Sequence, residues 1–179
     1  MKYYVFGQDM RVAGARVGLN SLPRKWRKMS GPIPVRLDDP GSAGDIAPES
    51  GADTFGDIVS GAYSLYSDRL CEALKEFGIE LDYNAVKIYK TGGVESVTGY
   101  NMALGAPDAD CLIQENGELD FFEIDETKTQ GLSFFDLEHK IRIIDETLKI
   151  HLEKLELEGV FIIPTQEFGG MLAHTLTWG

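Results

Sequence analysis

Two segments of this 179-residue chain combine helical periodicity with helix-capping residues, and they constrain its fold most strongly. The first follows Ser67, a favourable N-cap, and ends at Gly78, which suits the left-handed position after a helix. The second starts at Asp145, another good N-cap, and is predicted to end at Gly159. In both, apolar residues recur every three or four positions, which is the spacing of one helix face. These faces consist of Leu70, Leu74 and Phe77 in the first helix and of Leu148, Leu152 and Leu155 in the second.

Short runs of aromatic and β-branched residues surround the two helices and predict strands. They are residues 3–6, 33–37, 79–89, 100–104, 110–115, 118–124, 132–137, 140–144 and 160–163, with a last strand at 172–178. Because of its prolines, the 33–37 run is expected at a sheet edge. Strands, helix, strands, helix and strands therefore follow one another. This order predicts one α+β domain over residues 1–179, with a mainly antiparallel sheet and two principal helices.

Residues 7–54 are predicted to be a long irregular segment, because glycine and proline recur throughout them. The first part of this region is basic: residues 1–36 hold eight Lys and Arg against one Asp. The rest of the chain, residues 37–179, then holds nine basic and 28 acidic residues. Self-repulsion in such an acidic body favours packing of the basic segment against it. The alternative is that the basic segment is an arm that binds nucleic acid.

The formal net charge is −12 and the isoelectric point about 4.6, which disfavours a broad surface for nucleic acid and favours a basic partner. No apolar run is long enough to cross a membrane, and the amino-terminal run is too short for a secretory signal. Cys71 and Cys111 form no paired framework, and Cys71 is expected on the buried face of the first helix. We therefore expect a cytoplasmic protein with reduced thiols.

The sequence contains no recognisable catalytic or cofactor-binding motif. It has no nucleotide-binding glycine loop and no serine-hydrolase or zinc-protease signature. Its three histidines, at positions 139, 151 and 174, share no metal-ligand spacing. These observations predict a protein that is not an enzyme and needs neither a metal nor another cofactor.

The strongest local signal is a β-hairpin around Asn116-Gly117, a pair that favours the two-residue type I′ turn. That turn predicts that Asp110 faces Glu123 and that Asp108 faces Asp125, all on one side of the hairpin. Because opposed like charges are destabilising, something should compensate for them: solvent, the basic segment, a divalent cation or a basic partner. We predict that these four carboxylates form part of a partner-binding surface.

A metal-dependent nuclease or phosphodiesterase is an alternative interpretation. Pro107-Asp108 and Glu126-Thr127-Lys128 fit the loose pattern PD…(D/E)xK, in which two carboxylates hold Mg²⁺ and the lysine assists attack by water. However, the predicted pairing places Glu126 and Lys128 on the opposite face of the hairpin from Asp108. The pattern is also short, so chance matches are common in an acidic chain.

The order of elements resembles that of a family of bacterial immunity proteins from polymorphic toxin systems, the group described as immunity protein eleven. The resemblance rests on apolar and turn patterns at residues 1–5 (MKYYV), 57–59 (DIV), 67–70 (SDRL), 100–102 (YNM), 132–136 (LSFFD), 145–146 (DE) and 159–164 (GVFIIP). It extends over nearly the whole chain, although residues 7–54 are longer and more basic than is usual in the family. The family has no motif of functional residues to transfer.

The resemblance implies a cytoplasmic bacterial protein that neutralises a cognate toxin by direct stoichiometric binding. Many such toxins are basic nucleases, and an acidic inhibitor can mimic phosphate and accelerate association by electrostatic steering. A general protein-interaction module with no toxin partner is a further alternative. The sequence leaves the toxin and the oligomeric state open.

Overall fold

A computed structural model describes residues 2–17, 22–37, 53–90, 93–113, 123–137 and 141–168. The strands are β1 (Tyr3–Gln8), β2 (Ile33–Arg36), β3 (Ile58–Val59), β4 (Leu65–Ser67), β5 (Asp82–Tyr89), β6 (Ser96–Leu104), β7 (Leu112–Ile113), β8 (Glu123–Ile124), β9 (Phe134–Leu137), β10 (Ile141–Asp145) and β11 (Val160–Pro164). The helices are α1 (Asp68–Phe77) and α2 (Glu146–Glu153). The predicted α+β fold, with a mainly antiparallel sheet and two principal helices, is confirmed. The predicted strand at 172–178 lies outside the described residues.

One sheet has four antiparallel strands in the order β11-β1-β10-β9. Both of its faces are covered, so consecutive residues of β1 from Tyr3 to Phe6 are all buried. Tyr4, Phe6 and Ile144 face the two helices, where they pack with Leu70, Leu74, Leu148 and Leu152. Tyr3, Val5 and Ile143 face the other way, where they pack with Cys111, Ile124 and Phe168. The strand β1 therefore lies inside this sheet, between β11 and β10.

The second sheet has five strands in the order β2-β5-β6-β4-β3, and Val17 connects its two edges. β2 pairs with β5 in parallel and forms one edge of this sheet, as its prolines predicted. Val17 makes one β-bridge to Leu37, directly after β2, and another to Gly61, just after β3. The sheet therefore closes into a small barrel. Its interior contains the fully buried side chains Val35, Val59, Leu65, Ile88 and Met102.

The buried side chain of Gln8 holds the segment that leads to Val17 in place. Its amide nitrogen donates to the carbonyl oxygens of Ala13 at 2.6 Å and Ala15 at 2.8 Å. Its amide oxygen accepts a hydrogen bond from the Ser60 backbone nitrogen at 2.6 Å. The last residue of β1 therefore connects the four-stranded sheet to the barrel through three hydrogen bonds to backbone groups.

The predicted start and end of α1 are confirmed. The Ser67 hydroxyl accepts from the Leu70 backbone nitrogen at 3.3 Å, and Gly78 adopts a left-handed φ of +96°. The predicted burial of Cys71 is also confirmed, since this residue is only 2% exposed. The start of α2 follows the prediction too, because Asp145 accepts from the Leu148 backbone nitrogen at 2.8 Å.

The predicted end of α2 at Gly159 is wrong, since the helix ends at Glu153. Glu156 adopts a positive φ of 49°, which the helical backbone does not permit. Gly159 has a different role, because a Cβ at this position would lie 2.6 Å from the Ala13 Cβ and 3.2 Å from the Gly56 Cα. Close packing of these three segments therefore requires this glycine.

The predicted pairing of the acidic hairpin is wrong by three residues. Leu112 faces Ile124 and Ile113 faces Glu123, so Asp110 does not face Glu123. The observed pairing directs the apolar side chains of Leu112 and Ile124 into the core beside the four-stranded sheet, and burial of one face fixes strand register. Nine residues, 114–122, lie between the last paired positions. The Asn116-Gly117 pair is among them and lies outside the described residues.

Candidate functional site

The structure separates the four carboxylates that the hairpin prediction placed on one face. Asp108 pairs with Asp136 of β9 in a parallel bridge, in which Ala109 donates to the Asp136 carbonyl oxygen at 2.9 Å. Asp108 therefore lies along the four-stranded sheet and does not face Asp125. Asp108, Asp110 and Glu123 are all exposed, and we name these three residues the acidic surface.

Asp125 stabilises a turn and does not belong to the acidic surface. Its carboxylate accepts hydrogen bonds from the Thr127 backbone nitrogen at 3.0 Å and from the Thr127 hydroxyl at 2.6 Å. These bonds, with a smaller contribution from the Lys128 ammonium 4.0 Å away, lower the pKa of Asp125 below its usual value. Its partners are thus local, and the predicted mutual repulsion with Asp108 is not observed. A partner-binding role for the four carboxylates remains a prediction.

Residues 126–128, the second half of the PD…(D/E)xK pattern, form part of this turn and not a strand. The Glu126 carbonyl oxygen accepts from the Thr129 hydroxyl at 3.0 Å, and the Lys128 ammonium is directed towards Asp125. Within the described ranges, no group of three or more His, Cys, Asp or Glu side chains could hold a metal ion. The strand setting expected for the nuclease interpretation is therefore not present at these residues.

The acidic surface belongs to a long stretch of uniform charge and includes an exposed apolar neighbour. Residues 91–127 contain nine Asp and Glu and no Lys, Arg or His. Ile113, which faces Glu123 across the hairpin, is 43% exposed. Behind these side chains, Cys111 and Ile124 are buried against the four-stranded sheet. The acidic surface therefore has one exposed apolar neighbour, Ile113, which lies opposite Glu123 on a hairpin whose inner side packs against the core.

Four basic residues of the basic segment face solvent. Arg24, Lys25, Arg27 and Lys28 are exposed, on and next to a 3-10 turn at Trp26–Lys28. None of these four residues forms an ion pair with another described residue, and the Arg27 guanidinium lies 4.9 Å from the centre of the Trp26 ring. The predicted packing of the basic segment against the acidic body is therefore not observed at these positions.

Sequence reasoning missed a cleft of about 620 Å³ between the four-stranded sheet and the barrel. Arg142 of β10 lines it, with a side chain only 13% exposed. The guanidinium donates to both carboxylate oxygens of Asp136, with Nη2 3.0 Å from Oδ2, and its Nη1 donates to the Tyr66 hydroxyl. The same guanidinium lies 4.5 Å from the centre of the Phe134 ring. This polar network joins the two sheets, because Tyr66 belongs to β4.

The electrostatics of the cleft follow from this pairing. Burial raises the pKa of the Tyr66 hydroxyl, which therefore stays protonated at neutral pH. Burial disfavours the charge on Arg142, but Tyr66 and Asp136 outweigh it and the pKa of this guanidinium lies above its usual value. One sequence signal could have identified the network: Arg142 shares a strand face with Ile144, which the apolar run predicts to be buried.

Neither described helix has the length and apolar content needed to span a lipid bilayer. Comparison of the chain with protein-family models and with curated protein sequences found no match.

Proposed function

We propose that the chain is an immunity-type protein that neutralises a bacterial toxin by direct, stoichiometric binding through the acidic surface. The observation that supports this proposal is the exposure of Asp108, Asp110 and Glu123, together with the exposed Ile113 opposite Glu123, within a stretch of nine acidic and no basic residues. The partner that fits such a surface is a protein with a basic patch. In this proposal the protein acts in the cytoplasm, catalyses no reaction and needs no cofactor.

The two chemical components of the surface have different roles in binding. Carboxylates at the rim of an interface accelerate association with a basic partner, and salt weakens this effect. An exposed apolar side chain such as Ile113 can become buried in the complex and slow dissociation. Because the inner faces of β7 and β8 pack against the core, little ordering of the strands is needed on binding.

The test uses the C-terminal domain of the protein encoded by the gene immediately upstream in the native genome. We expect a one-to-one complex by titration calorimetry and loss of the toxicity of that domain when both are co-expressed. The triple variant Asp108→Asn/Asp110→Asn/Glu123→Gln should slow association at least ~fivefold at low salt and much less at ~0.5 M salt. Asp125 is kept because it stabilises a turn.

The matched control is Glu72→Gln/Glu76→Gln/Glu80→Gln, which removes the same charge from exposed positions on or just after α1. If the control slows association as much as the triple variant, the effect belongs to net charge and the acidic surface is not the interface. Absence of a complex would overturn the proposal. Hydrolysis of DNA or RNA with Mg²⁺ or Mn²⁺ that disappears in Asp108→Ala and Glu126→Ala would establish the nuclease alternative instead.

A further inference from the structure

Two exposed apolar side chains lie beside charges of opposite sign, in different parts of the molecule. Ile113, 43% exposed, faces Glu123 in the hairpin beside the four-stranded sheet. Directly opposed residues of an antiparallel pair share a face, so the carboxylate lies next to the isoleucine. Met29, 44% exposed, directly follows the basic 3-10 turn at Trp26–Lys28. Each of the two side chains therefore presents apolar surface to water among charges of one sign.

Met29 lines a groove on the outside of the barrel. Trp26 and Pro32 line the same side of it, and residues 83–85 of β5 line the other. β2 begins to pair with β5 only at Ile33 and Val86, so the two segments are separate before that point. The groove has a volume of about 320 Å³. Since a cavity of ~150 Å³ can hold benzene, this groove has room for the smaller side chain of an isoleucine.

The charges around the groove and around Ile113 are complementary. The groove lies among the exposed basic residues at positions 24, 25, 27 and 28, and Arg27 is the only charged residue in its lining within the described part of the chain. Asp110 and Glu123 are exposed near Ile113, and neither forms an ion pair with another described residue. The two surfaces thus match in charge sign, and one offers an apolar side chain where the other has an apolar groove.

We propose that copies of this chain associate head to tail, with Ile113 of one copy inserted into the groove at Trp26 and Met29 of a second copy. Asp110 and Glu123 then lie near the basic residues that flank the groove. Because the contact joins two different surfaces, further copies can add unless a ring closes. The proposal uses part of the acidic surface but does not rest on toxin binding, and a toxin bound there would compete with this association.

The net charge of −12 opposes this association at long range and sets its salt dependence. At ~0.01 M salt the screening length is about 30 Å, so two copies repel each other as whole molecules. At ~0.15 M it is about 8 Å, so the opposite charges at the contact matter most. At ~1 M it is about 3 Å, and the attraction at the contact weakens as well. Association should therefore be strongest at the intermediate salt concentration.

The first experiment is sedimentation velocity on the full chain at these three salt concentrations, over a range of protein concentrations. The contact is small, so we expect weak association, with a Kd on the order of 100 µM at ~0.15 M salt. The sedimentation coefficient should rise with protein concentration most steeply at that salt. A single monomeric species under every condition, or association that strengthens steadily up to 1 M salt, would overturn the proposal.

Charge-swapped variants locate the contact. Asp110→Lys/Glu123→Lys and Lys25→Glu/Lys28→Glu should each be monomeric alone, because each then carries two surfaces of the same sign. An equimolar mixture of the two variants should associate again, since the unchanged surface of each fits the unchanged surface of the other. A mixture that stays monomeric would show that these surfaces do not pair.

Matched controls separate the contact from general effects. Glu72→Lys/Glu76→Lys makes the same change in net charge at exposed positions of α1 and should not weaken association. Ile113→Ser should abolish association, whereas Ile150→Ser, at a position 51% exposed on α2, should retain it. Circular dichroism confirms that each variant is folded. Unchanged association of a folded Ile113→Ser variant would contradict the insertion of this side chain.

Fluorescence reports on the groove directly. The chain has two tryptophans, so Trp178→Phe leaves Trp26 as the single emitter. Insertion of an isoleucine next to the half-buried Trp26 ring should shift its emission to shorter wavelength as association proceeds. Association without any change in this emission would place the contact elsewhere.

Discussion

Arg69, in the first turn of α1, donates hydrogen bonds from Nε and Nη2 to the two carboxylate oxygens of Asp57, which is only 3% exposed. Asp57 also accepts from the Ser67 hydroxyl at 2.5 Å and from the Glu158 backbone nitrogen at 2.7 Å. One buried carboxylate thus joins the start of α1, the start of β3 and the segment that leads into β11.

We expect Asp57→Asn to lower the free energy of unfolding by about 2 kcal/mol at pH 7, because it weakens charge-assisted hydrogen bonds to a buried acceptor, while the half-exposed Arg69 stays solvated. Burial raises the pKa of Asp57, but the bonds from Arg69, Ser67 and Glu158 outweigh it, so the folded pKa is lowered. A lowered pKa means that the stabilisation is present above the unfolded pKa of about 3.9 and is lost as pH falls through the folded value. Urea unfolding should therefore show that wild type and Asp57→Asn differ less in free energy of unfolding at pH 3 than at pH 7. Glu72→Gln, on the exposed face of α1, should change the free energy by no more than about 0.5 kcal/mol at either pH.

The Arg142–Asp136 pair should show strong coupling in a double-mutant cycle. Asp136→Asn alone leaves a buried positive charge and should cost about 3 kcal/mol in free energy of unfolding. Adding Arg142→Met removes that charge, so the double variant should recover at least half of the loss. Chemical denaturation of the four proteins measures the coupling. Additive effects of the two substitutions would show that the pair contributes no more than two independent side chains.

Both described cysteines should react slowly with a thiol reagent in the native protein. Burial raises the pKa of Cys71 to about 11, and burial also raises the pKa of Cys111. The thiolate is the reactive form, so at pH 8 both low thiolate content and poor access limit the reaction. Labelling with Ellman's reagent should proceed at the rate of unfolding and accelerate in urea. Rapid labelling without denaturant would contradict the burial of these side chains.

Closure of the barrel at Val17 should depend on Gly61. A Cβ at this position would lie 2.1 Å from the Val17 carbonyl oxygen, and φ is +139°, so Gly61→Ala must displace the closing bridge. We expect a loss of about 3 kcal/mol or more in free energy of unfolding, from the clash and the backbone strain together. Gly31→Ala is the control, since φ is +90° but nothing lies within 4 Å of the added Cβ. It should cost only the strain of about 1 kcal/mol. Equal losses in the two variants would mean that the contact with Val17 does not matter.

The features that the sequence predicted well are those with local physical causes. Ser67, Gly78 and Asp145 cap helices through hydrogen bonds or backbone angles within a few residues, so their neighbours in the sequence suffice. The predicted hairpin register was wrong because it was based on the Asn-Gly pair, which is a local signal. The observed pairing is decided by a distant contact, the burial of Leu112 and Ile124 against the four-stranded sheet.

The cleft and the barrel depend on residues that are distant in the chain. Tyr66 and Arg142 are 76 positions apart, and no local pattern indicates that they share a hydrogen bond. Val17 meets Leu37 and Gly61 only because the five-stranded sheet curls enough to bring its edges together. Gly159 is a further example. The local sequence suggested that it ends a helix, but a glycine is needed there because of its contact with Ala13, which is distant in the chain.

The central position of β1 has a consequence for synthesis on the ribosome. β1 is made before the other described strands, but it pairs with β10 and β11, which begin only at residues 141 and 160. Until residues 141–164 leave the exit tunnel, the apolar side chains from Tyr3 to Phe6 have no sheet to join. The four-stranded sheet therefore forms only after both β10 and β11 have been made. Until then, the newly made chain exposes the apolar side chains of β1, which is the stage at which chaperones would be needed.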